Sequence, residues 1–66
     1  MEVIKFNKKI YSLEAINKAI EEFKNLADFK VTDSNDYLEV EIDKIGNEVK
    51  DVLKDEFSNY VLGLMS

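Results

Sequence analysis

The chain has 66 residues, 14 acidic against 9 basic, for a formal charge of −5, and it contains neither cysteine nor histidine. That composition excludes disulfides, zinc sites of the usual type, thiol nucleophiles and the commonest general base. The acidic excess, with lysine as the only basic residue type, disfavours a nucleic-acid partner.

A single domain spanning residues 1–66 is expected, with a core so small that stability is on the order of 3 to 5 kcal/mol. No signal peptide or long apolar run is read at the N-terminus, so a cytoplasmic setting without a membrane is the default expectation. Glu2 to Asn7, EVIKFN, sets Ile4 and Phe6 on one side and Val3 and Lys5 on the other, the alternation of a half-buried strand. A turn at Asn7 and Lys8 is followed by Lys9 to Tyr11, read as a short second strand.

From Tyr11 to Ala27, Leu13, Ile16, Ile20, Phe23 and Ala27 recur at three- and four-residue steps, with Ala19 and Leu26 beside them, which predicts an amphipathic helix. Ser12 stands where an N-cap belongs, Glu14 suits the positive end of the helix dipole, and Tyr11 with Ile16 forms a hydrophobic staple. Asp28 to Asp33 and Tyr37 to Ile42 then read as a hairpin around the polar cluster Asp33-Ser34-Asn35-Asp36. A second helix is predicted from Lys44 or Glu48 onward, capped by Asp43 or Asn47 and stopped near Gly63. Its core stripe is expected to be Ile45, Val49, Val52, Leu53, Phe57, Tyr60 and Leu64.

The order β-β-α-β-β-α, with one apolar and one polar face on each strand, predicts an α+β two-layer sandwich: a small antiparallel sheet with both helices packed on one face. Val3, Lys5, Lys30, Thr32, Tyr37, Glu39 and Glu41 then line the open face. The acidic hairpin fails as a calcium loop, because Leu38 takes the place of the glycine at its sixth position and Lys44 that of the bidentate glutamate at its twelfth. Carboxylates such as Glu39 and Glu41 on an open sheet lack the burial that tunes catalytic acids, so enzymatic activity ranks last and neither cofactor nor metal is expected.

Two partner-binding surfaces are expected instead: Tyr37, Glu39 and Glu41 on the sheet, and Val61, Leu62 and Met65, which fall off the predicted core stripe of the last helix and are expected to be exposed. A peptide or protein partner and a second copy of the chain, in a homodimer, are the two kinds of occupant these surfaces suggest.

Two stretches, VIKFNKKIYSLEAINKA from Val3 to Ala19 and EFSNYVL from Glu56 to Leu62, resemble the small HxsD-type proteins of His-Xaa-Ser peptide-modification systems. That family shows a strand followed by a Tyr-Ser-x-x-Ala-Ile helix start, matched at Tyr11, Ser12, Ala15 and Ile16. Its C-terminal pattern is L-L-N-D-Y-x-L-R-E. This chain keeps Tyr60 and Leu62, but has Phe57, Ser58 and Asn59 in place of Leu, Asn and Asp, and Gly63 and Leu64 in place of the final Arg-Glu. The resemblance implies a small accessory protein encoded beside radical SAM maturases and acting on a ribosomally made peptide, and the missing catalytic residue types add the expectation that it is non-catalytic.

Overall fold

The computed structural model describes residues 1–65. The elements run β1 (Glu2–Asn7), α1 (Leu13–Phe23), β2 (Asp28–Asp33), β3 (Tyr37–Asp43) and α2 (Leu53–Met65). The sheet is antiparallel in the order β1-β3-β2, so β3 pairs on both sides and β1 and β2 are the edges. Both helices pack on its apolar face, the two-layer α+β arrangement expected from strand alternation.

Register explains the two faces. Ile4, Val40 and Val31 lie in one cross-strand row under the helices, and Phe6 and Leu38 in the next. On the opposite face Lys5 stands across from Glu39 and Lys30 across from Glu41. Opposite charges placed directly across strands favour this register over a one-residue slip, which would also expose the apolar row. Glu2 departs from the pattern: it is opposite Ile42 on the helix-covered side of an edge strand, and its Oε1 is buried without a hydrogen-bond partner. An inward charge at an edge discourages strand addition at some cost in stability.

α1 begins as its sequence predicts. Ser12 is in extended conformation and its Oγ accepts from the Ala15 N–H at 3.1 Å. Ala15, Ile16 and Ala19 are buried, but Leu13 and Leu26 are exposed, and the helix ends at Phe23 rather than Ala27. There the Leu26 N–H bonds to the Phe23 carbonyl, and the Leu26 carbonyl accepts from the Gly46 N–H, tying the end of α1 to the segment after β3.

Four expectations are corrected. Lys9 to Tyr11 form no strand, because Asn7 captures their amides: its side-chain oxygen accepts from Lys9 N–H, and its carbonyl from Ile10 and Tyr11 N–H. The order is therefore β-α-β-β-α with three strands. The second helix starts at Leu53, not Lys44 or Glu48; Lys44 takes a φ of 52°, and residues 47–52 form successive turns bonded from Val49 to Gly46 and from Val52 to Val49. Asp43 accordingly bonds the Lys44 N–H inside the turn and caps no helix. α2 also continues through Gly63 to Met65.

The late start rotates the buried stripe. Ile45 and Val49 pack on the core from the turn segment, so they do not share the helical phase of α2. Leu53, Phe57 and Val61, spaced four apart, face inward, and Val52, Tyr60 and Leu64 are exposed. Phe57 is fully buried and its ring meets Phe6 of β1 at 6.3 Å, Phe23 of α1 at 5.5 Å and Phe29 of β2 at 5.0 Å.

Phe57→Ala is expected to lose about 3 to 5 kcal/mol, as much as a core of this size supplies, leaving no cooperative thermal transition by circular dichroism; a variant melting within a few degrees of wild type contradicts this packing. Glu2→Leu is expected to gain about 1 kcal/mol, read as a higher urea midpoint with unchanged slope, and a lowered midpoint contradicts the buried, unpartnered placement of its Oε1.

Candidate functional site

The candidate residues divide between two surfaces on different layers of the fold. Tyr37, Glu39 and Glu41 follow one another on the open face of β3, with Tyr37 exposed and the two glutamates half-buried between β1 and β2. Tyr37 also lines a polar cleft of about 380 Å³ with Asn7, Lys8, Lys9, Asn35 and Asp36, where the turn after β1 meets the β2–β3 hairpin. That cleft is held together from within. The Lys8 N–H bonds to the Asp36 carbonyl at 3.0 Å, and its ammonium reaches both Asp33 and the Ser34 carbonyl. Lys8 thus fastens one turn to the other, which accounts for its position without a ligand.

The second surface is apolar. Leu62 and Met65 join Ile10, Asn59 and Gly63 in lining a groove of about 590 Å³ along the outer side of α2. Ile10 is 59% exposed and Leu62 52%. Among the described residues no charged side chain lines it. Met65 is anchored at the α1 N-cap, where its thioether accepts from the Ser12 hydroxyl at 3.8 Å, so the end of α2 is docked against the start of α1.

Val61 does not belong to this surface. It is fully buried in the four-residue stripe with Leu53 and Phe57, contrary to its expected exposure, because the stripe is centred nearer Val61 than a helix running on from Lys44 would place it. Ile10, in contrast, joins the groove although its sequence context predicts a short strand. The clue is present in the chain: an isolated isoleucine between lysines and a helix cap has no alternating partner that would bury it.

The groove offers shape and apolar contact. Among the described residues no cluster of three or more acidic side chains converges in a way that could hold a metal ion, and no helix is long and apolar enough to cross a membrane. Comparison with protein-family models, with curated proteins and with solved structures finds no match.

Proposed function

We propose that the chain is a non-catalytic accessory module that holds a peptide or protein partner at the outer side of α2, with Leu62 and Met65 as the contact residues from that helix. The observation that carries this reading is the groove at Ile10, Leu62 and Met65. It brings together, from opposite ends of the chain, apolar side chains that the fold itself leaves uncovered. Removing such side chains from water on association supplies the driving force, and a polar neighbour such as Asn59 supplies orientation.

The chain's composition supports the non-catalytic part, since it has no histidine, cysteine or arginine to serve as base, nucleophile or bidentate anion clamp. The likeness of Val3 to Ala19 and of Glu56 to Leu62 to HxsD-type proteins motivates the partner class, a radical SAM maturase or the peptide it modifies, in a cytoplasmic setting. The open sheet face, with Tyr37, Glu39 and Glu41, is the secondary contact surface in this reading. Its lysines and glutamates face one another across strands, which leaves less unpaired chemistry for a partner than the groove does.

The expected outcome for the Leu62→Lys, Met65→Lys double variant is an unchanged far-ultraviolet spectrum with binding to a maturase and precursor peptide of a His-Xaa-Ser system weakened by at least about tenfold, measured by calorimetry. Wild-type affinity in the double variant overturns the assignment of this surface.

A further inference from the structure

The two edges of the sheet are not equivalent. The Ser34 N–H bonds to the Tyr37 carbonyl at 2.9 Å, which makes Ser34 and Tyr37 a hydrogen-bonded pair of the hairpin. Bonded pairs alternate along an antiparallel ladder, so the next ones fall on Thr32 with Glu39 and on Lys30 with Glu41. Phe29, Val31 and Asp33 therefore turn their backbone N–H and C=O groups away from β3. Among the described residues no other part of the chain bonds to those groups.

The β1 edge is blunted. The bond from the Lys8 N–H to the Asp36 carbonyl sets its bonded pairs at Phe6 with Leu38 and Ile4 with Val40, so Val3, Lys5 and Asn7 turn outward. The Asn7 carbonyl is taken by the Ile10 and Tyr11 amides, and Glu2 places an inward charge at the other end of the strand. The edge that offers a continuous ladder is β2.

Charge narrows the occupant. Asp33 is paired with Lys8, and Asp28 with Lys44 at 3.8 Å, but Lys30 makes no ion pair among the described residues although Glu41 lies opposite. Lys30 is exposed on the open face, between Phe29 and Val31, which are half-buried on the helix side. A strand laid along β2 thus meets an apolar position, a cation and an apolar position in succession. A second copy does not supply the complement. Twofold pairing of β2 about Val31 sets Asp33 opposite Phe29, and pairing about Lys30 sets two lysines opposite each other. The overall charge of −5 weighs against a polyacidic segment, so a single acid among aliphatic and neutral residues fits.

We propose that the free edge of β2 accepts an extended peptide segment, antiparallel to the strand, with an acidic residue opposite Lys30 and aliphatic residues opposite Phe29 and Val31. The backbone of Phe29, Val31 and Asp33 supplies the ladder. Lys30, at a non-hydrogen-bonded position where side chains approach most closely, selects the sign of the incoming charge. This surface is separate from the groove on α2 and does not depend on it.

The test is titration of the isotope-labelled full chain, read by amide shifts and hydrogen exchange, with an end-blocked Ser-Thr-Val-Glu-Val-Thr-Ser peptide, its counterpart with lysine in place of glutamate, and a copy N-methylated at both valines. In the free chain the Phe29, Val31 and Asp33 amides are expected to exchange faster than those of Lys30 and Thr32. The glutamate peptide is expected to shift and protect the three outward amides saturably, with affinity about fivefold above that of the lysine peptide, and the N-methylated copy is expected not to saturate. Lys30→Glu is expected to invert the preference with an unchanged far-ultraviolet spectrum. No saturation by the glutamate peptide, equal affinity for the lysine peptide, or saturation by the N-methylated copy overturns the proposal. Protection of the outward amides that grows with the concentration of the chain alone overturns it in favour of a second copy at this edge. The Leu62→Lys, Met65→Lys double variant is expected to bind the glutamate peptide as wild type does, so failure here and failure of the groove on α2 are seen separately.

Discussion

The fold depends on one side chain, Phe57, whose ring touches a phenylalanine from each of β1, α1 and β2. In a chain this short, three strands and two helices cannot each bury a separate apolar layer, so the elements share one cluster. Edge-to-face contacts to Phe6 and Phe23 and an offset stack on Phe29 give the cluster a defined geometry as well as buried area. Tyr11 extends it from Phe6 toward the N-cap of α1, and Tyr60 from Phe23 toward solvent. The azimuth of α2 follows from this arrangement. With Phe57 pointing inward, Leu53 and Val61 are drawn into the core, and Asn59 and Leu62 are turned outward.

Much of the architecture is legible in local pattern. The alternation of Leu38, Val40 and Ile42 identifies the central strand, and Ser12 with Ala15, Ile16 and Ala19 identifies the first helix, because both signals come from side chains that meet the core directly. The failures occur where long-range contacts override local periodicity. Val49 and Val52 continue the apolar spacing of α2 backward, yet the turn begun at Lys44 and the bond from Gly46 to the Leu26 carbonyl hold that segment out of the helix. Lys9 to Tyr11 have strand-like composition, but Asn7 uses their amides first.

The same errors govern the reading of the candidate site. Leu62 and Met65 are recognisable as off-stripe residues because their displacement from the core phase is large. Val61 is misplaced because a modest rotation of the helix decides its burial, and that rotation is set by Phe57 and the late helix start. Ile10 shows in the sequence only as an isoleucine without an alternating partner, and its place in the groove beside Gly63 follows only once the turn after β1 is folded beside the end of α2. A surface assembled from Ile10 near one terminus and Leu62 near the other is a property of the fold.

Whether the chain is a folded monomer with an uncovered groove is read most directly from sedimentation mass over a wide concentration range, alone and with a radical SAM maturase and precursor peptide of a His-Xaa-Ser system. The expected mass is 7.6 kDa at every concentration of the chain alone, with a larger species only when a partner is added. A concentration-dependent doubling that the Leu62→Lys substitution abolishes would contradict it, by showing that a second copy fills the groove and that the exposed side chains of α2 are the two halves of a homodimer.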